Sequence, residues 1–187
     1  MPRTKKYDEQ EVIEKAMNLF WKKGYEMTSM QMLEKEMGIN KFSIYSSFGN
    51  KNGVFLESLK CYKGKLDSLI NKLKASSGGV HNLKQYFYDF IEFSKDHEFG
   101  RGCLVTNTAN ELGQIADEPI KNALTRFTTE VREVFADMLH TDLNKDSETV
   151  SEQADYLIIA MFGLSSATKV FSKSQLHHYI ENTFKNI

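Results

Sequence analysis

Apolar positions recur at steps of three and four along most of this chain, and no alternating strand pattern stands out. Val12, Ile13, Ala16, Met17, Leu19 and Phe20 form one apolar face of a first helix, which Gly24 ends. A second helix begins at Thr28, with Gln31 three residues on as in a capping box, and turns Met30, Leu33 and Met37 inward. Gly38 makes a tight turn, and Asn40 is a good N-cap for a short third helix. That helix presents Lys41, Phe42, Ser43, Tyr45 and Ser46 on one side, while Ile44 and Phe48 point inward. Two helices joined by a short glycine turn are the helix-turn-helix pattern, whose second helix enters the major groove.

The rest reads as six more helices, predicted over 50–74, 80–96, 103–113, 118–140, 147–171 and 174–186. The breaks fall at KASSGGVHN, at FGRG and at TDLNKDS. The fifth helix holds Tyr86, Phe87, Tyr88, Phe90 and Phe93 around its circumference, which predicts burial on several sides. The expected architecture is all-α with about nine helices. A three-helix head over 1–51 precedes a larger body over 52–187.

The head carries a specific resemblance. Ala16, Leu19, Phe20, Gly24, Tyr25, Thr28 and Ser29 continue through Gly38-Ile39-Asn40 to Ile44-Tyr45-Ser46-Ser47-Phe48-Gly49-Asn50-Lys51. In register, these positions resemble the DNA-binding domain of the tetracycline-repressor (TetR/AcrR) family of bacterial transcriptional regulators. The resemblance covers about the first quarter of the chain. It implies a sequence-specific DNA-binding regulator, by family default a homodimeric repressor, released from operator DNA by a small effector.

Positions matching Thr28, Tyr45 and Lys51 commonly grip the DNA backbone in that family. Thr28 and Ser29 also lie at an expected helix N-terminus, which suits a phosphate. Lys41, Phe42, Ser43 and Ser46 are the candidates for reading base edges: a lysine can donate to guanine, and an apolar ring can touch a thymine methyl. Phe42 and Glu34 depart from the family pattern, which has a small residue at each. Phe42 has two destinations, the groove or the head's own core, and Glu34 is expected on a solvated face. Asn52-Gly53 is a weak start for the fourth helix and is expected to loosen the head–body joint. Arg3, Lys5 and Lys6 make an N-terminal basic arm, either a minor-groove reader or a frayed end.

Composition narrows the class further. The formal net charge is −1, so the chain is not globally basic. The first 51 residues hold nine Lys/Arg against seven Asp/Glu, a small local excess at the end expected to touch DNA. No export signal or membrane-length apolar run is visible, which leads us to expect a cytoplasmic protein with its two cysteines reduced. No metal-spaced cluster or nucleophile–base pair converges, so no cofactor is expected. A carrier or enzyme built on the helical body is the remaining alternative class.

The last two helices are the expected homodimer interface, which is where the family places it. Ala154, Leu157, Ile158, Met161, Leu164, Ser165, Leu176 and Ile180 are its candidate residues; an internal core seam is the alternative. The body is expected to hold an unknown small apolar or aromatic effector among Phe87, Phe90, Phe93, Cys103, Phe127, Tyr156 and Phe162. Gly102-Cys103-Leu104-Val105, with Glu111-Leu112 after it, resembles a Gly-Cys-Leu element of one family subgroup, some members of which sense electrophiles or oxidants through that cysteine. A helix N-terminus and Arg101 nearby would lower the thiol pKa, and Lys169 lies where some relatives carry a lysine near it. The alternative is a small buried hydrophobe.

Overall fold

The computed structural model describes residues 7–96, 99–141, 144–185 and 187. Three short helices form the head: α1 (Glu9–Lys23), α2 (Met30–Met37) and α3 (Lys41–Phe48). The body follows as α4 (Lys51–Lys74), α5 (Val80–Phe93), α6 (Leu104–Leu112), α7 (Glu118–Leu139), α8 (Ser147–Ala167) and α9 (Lys173–Thr183). Between α5 and α6 the chain makes a minimal antiparallel pairing of β1 (Lys95–Asp96) with β2 (Phe99–Gly100). Two residues a side are too few for alternation to register in sequence, so α5 stops at Phe93 where the pattern predicts a helix to 96.

Local chemistry sets the head's helix ends. The Asp8 carboxylate accepts from Gln10 N–H at 2.8 Å and starts α1. The cap of α2 is Ser29, one residue later than expected, accepting from Met32 N–H at 3.2 Å. Thr28 is fully buried, and its hydroxyl donates back to the Gly24 carbonyl at 2.6 Å. Asn40 caps α3 as expected, accepting from Ser43 N–H at 2.8 Å. Gly38 stands between the two helices at φ +69°, a left-handed conformation that a Cβ disfavours.

Val12, Ile13, Ala16, Met17 and Phe20 from α1, Leu33 and Met37 from α2, and Ile44 from α3 are buried in the same core cluster as Val54 and Phe55 of α4. Burial of these side chains holds the helix-turn-helix to the first turns of the body's central helix. Phe20 meets Phe55 edge-on at 4.9 Å between ring centroids, and Tyr25 meets Phe55 at 5.0 Å. In the body, Phe87 packs edge-on to Phe184 at 4.9 Å, and Tyr86 to Phe135 at 5.6 Å. The aromatic α5 is therefore core, walled by α7 and α9.

Most of the expected dimer residues are packed inside the single chain. Ala154, Leu157, Met161, Leu164, Ser165, Leu176 and Ile180 are all buried within the single chain, and Ile158 is half-buried. They seat α8 and α9 on the rest of the body. The apolar residues left outward on these helices are Tyr156, Ile159 and Tyr179, with Val170 and Phe171 between them in the connection.

Candidate nucleic-acid interface

The outward side of α3 is the candidate reading surface. Phe42 is 78 % exposed, so its ring faces out and not into the head's core. Tyr45 is 44 % exposed, and the Lys41 ammonium lies 5.8 Å from its ring centroid. Ser46 is exposed and Ser43 half-buried. Ile44, on the opposite side, is fully buried and fixes the roll of the helix.

Glu34 has a partner that sequence reasoning missed. Its carboxylate accepts from the Lys41 backbone N–H at 2.9 Å. The departure from a small residue thus adds a second cap to the N-terminus of α3 and ties α2 to it. A carboxylate there also complements the positive end of the helix dipole. Local patterns carry no signal for it, because the acceptor and donor lie on different helices.

Lys51 opens α4 beside the turn that follows α1. Its ammonium lies 4.2 Å from the Tyr25 ring centroid and donates to the Glu26 carbonyl at 3.4 Å. With Ser29 at the start of α2 and Tyr45 on α3, three elements place hydroxyls and a cation around the candidate surface. Buried Thr28 contributes through its bond to Gly24, with no free hydroxyl for a phosphate. The arm carrying Arg3, Lys5 and Lys6 lies outside the described residues.

The Asn52-Gly53 joint is clamped, where a loose hinge was expected. The Tyr25 hydroxyl donates to the Asn52 side-chain carbonyl, and the Asn52 amide donates to Asp117. Asn50 accepts from Gly53 N–H at 2.9 Å. A Cβ at Gly53 would collide with the Phe48 carbonyl, so glycine lets the end of α3 pass close to the start of α4.

In the body, Cys103 caps α6 without a side-chain bond and is buried. Lys169 is near, its Cε 3.1 Å from where a Cβ on Gly102 would stand. The expected activation is reversed. Burial pushes the Cys103 thiol up, against a smaller pull from Tyr62 and from the Thr106 and Val105 amides. Arg101 turns toward the head: its guanidinium stands 5.3 Å from the Trp21 ring centroid and 3.5 Å from the Asn18 side-chain oxygen. The Tyr62 hydroxyl rests against the thiol without reaching full hydrogen-bond geometry. Burial also lowers the Lys169 ammonium, with Glu111 opposing.

The expected effector residues do not share one recess. Phe87 and Phe90 are packed in the core, Tyr156 is exposed, and Phe93 stands 5.8 Å from Trp21. Phe127 alone of that set lines an open cleft of about 1290 Å³ between α1, α4 and α7. The cleft's apolar wall includes Ile13, Leu56, Leu59 and Val105. Lys65–Glu14 at 2.6 Å and Lys63–Glu130 bridge α4 to the helices on either side of it. Among the described residues no helix is long and apolar enough to cross a membrane.

Comparison with known proteins places this geometry. Residues 12–58 match the family model of bacterial regulatory proteins, tetR family. Over 177 residues the chain is 28% identical to YezE of Bacillus subtilis (strain 168), an uncharacterized HTH-type transcriptional regulator, spanning 91% of this chain and 90% of that one. It is 30% identical over 113 residues to IcaR of Staphylococcus aureus (strain Newman), the HTH-type negative transcriptional regulator of the biofilm operon icaADBC, spanning 57% of this chain and 60% of that one. Its fold is similar to that of a cysteine mutant of CifR, a TetR family transcriptional regulator complexed with 26bp double-strand operator DNA. That likeness has a TM-score of 0.83 at 24% identity and covers 98% of each chain. The reduced form of E. coli NemR is similar in fold at a TM-score of 0.81 and 19% identity, covering 95% of each chain.

Proposed function

Because this chain belongs to the TetR family of bacterial regulatory proteins, we propose that it works as a homodimeric repressor which a small effector releases from operator DNA. It is a helix-turn-helix transcriptional regulator, and its curated relatives are regulators and not enzymes. The observation that carries the reading is the outward face of α3. A helix fixed by two caps and one buried isoleucine leaves Lys41, Phe42, Tyr45 and Ser46 free to meet base edges and phosphates.

One eight-residue helix reads few bases, so a two-fold pair of heads in successive major grooves suits the affinity a repressor needs. The apolar side chains left outward on α8 and α9, centred on Ile159 with Tyr156 and Tyr179, support a partner copy seated there. IcaR is named a negative regulator, which supports repression for this chain.

The cleft between α1, α4 and α7 supports the effector reading. It touches head and body together, so a ligand in it would make different contacts in the gripping and released states. Only such a difference in affinity shifts the population between them. The raised thiol of Cys103 favours a packing role over sensing in this conformation.

The test is enrichment of sequences from a random duplex library by the wild-type protein, followed by footprinting of the enriched site. The reading expects two protected half-sites about 34–36 Å apart or a multiple of that. Uniform binding with no enriched sequence would reject it.

A further inference from the structure

The turn between α1 and α2 is held from the body by one carboxylate. Glu111, near the end of α6, accepts from the backbone N–H groups of Tyr25 and Glu26, each at 2.8 Å. Both carboxylate oxygens are used, one on each amide. These are charge-assisted bonds to consecutive amides, which a neutral side chain reproduces poorly. The chain is shaped to admit them. Gly24 has φ +86°, and a Cβ there would stand 2.7 Å from a Glu111 carboxylate oxygen.

What the clasp holds is the support of Lys51. The Lys51 ammonium has two neighbours on that turn, the Tyr25 ring and the Glu26 carbonyl. They are the two residues whose amides Glu111 binds. The Tyr25 hydroxyl also reaches Asn52, the residue after Lys51, and Asn52 reaches Asp117. The turn leads directly to buried Thr28 and the α2 cap Ser29. A side chain of the body therefore sets where Lys51 stands.

We propose that Glu111 is a positioning residue for operator binding: it fixes the Tyr25–Glu26 turn and through it holds Lys51 ready for a backbone phosphate. This rests on the operator-binding reading and is independent of the effector. Glutamine at 111 keeps one acceptor but turns an N–H toward the second amide. Aspartate is one methylene short of spanning both.

The experiment measures binding to a duplex enriched by the wild type from random sequence, as a function of salt. Glu111→Gln is expected to bind about tenfold more weakly, with a salt slope lower by about one, the signature of one lost phosphate contact. Dimer elution and helicity stay as in wild type. In a Lys51→Ala background, Glu111→Gln is expected to cost less than about threefold, because the group it positions is gone. If Glu111→Gln loses helicity, Glu111→Asp is read the same way. Wild-type affinity in the folded variant, or an undiminished loss in the Lys51→Ala background, would overturn the proposal. A wild type that enriches no sequence would overturn the operator reading itself, and the clasp with it.

Discussion

The Lys51 ammonium lies 4.2 Å from the centroid of the Tyr25 ring, at the seam where the first turn of α4 meets the end of α1. A cation against an aromatic face is held in place while it stays charged. Such a group suits a phosphate because it is already ordered before DNA arrives. Lys51→Ala should weaken binding about equally on specific and random duplexes and lower the salt slope by about one. Fluorescence anisotropy at several salt concentrations measures both. An unchanged slope would place the lysine away from the phosphates.

Phe42 should act on sequence preference instead. Its ring is 78 % exposed on the outward side of α3, where it can meet a thymine methyl. Phe42→Ala should cost about 1–3 kcal/mol on the preferred site at one base position. Binding to random DNA should barely change. Repeating the enrichment with the variant shows whether that one position relaxes. Equal losses on every sequence would make the ring a structural element of the head.

Ile159 and Leu157 are two residues apart on α8 yet should behave oppositely. Leu157 is fully buried and Ile159 is 70 % exposed. Leu157→Ala should lower stability by about 2–5 kcal/mol, as loss of a packed leucine does. Ile159→Asp should leave the single chain folded and shift sedimentation from dimer toward monomer. A dimer that survives Ile159→Asp would move the two-fold interface elsewhere.

The head was largely legible in the sequence because caps and turns are local. Asn40 and Gly38 announce the second half of the helix-turn-helix within a few residues. The start of α2 was displaced by one, since Thr28 and Ser29 are both hydroxyl residues. Burial of Thr28 and its bond to Gly24 decide between them. The run from Leu157 to Leu164 is apolar nearly all round the helix. Periodicity could not say which side faces α7, and the expected dimer residues fell on the inner side. Glu111 stood out only as part of the Gly-Cys-Leu element, and Asp117 not at all; neither partner was legible, because they lie 86 and 65 residues away.

Cys103, Tyr62 and Tyr86 share a buried neighbourhood, and burial raises all three above their ordinary values. The folded chain therefore holds these protons more tightly than the unfolded chain does. The stability this confers is full below the ordinary thiol pKa, about 8.5, and is lost as pH rises through the raised folded values. Denaturant midpoints should fall between pH 8 and pH 10, and less steeply in Cys103→Ala. A thiol reagent at neutral pH should label half-buried Cys61 before Cys103, whose labelling waits for unfolding. Rapid native labelling of Cys103 would restore it as a sensor.

The most direct test of the account is a paired titration of the wild-type protein onto its enriched duplex and a scrambled duplex of equal length. We predict that the enriched duplex binds at least about a thousandfold more tightly near physiological salt, the usual margin of specific over non-specific recognition. Equal affinity for the two duplexes would contradict the claim that α3 reads sequence.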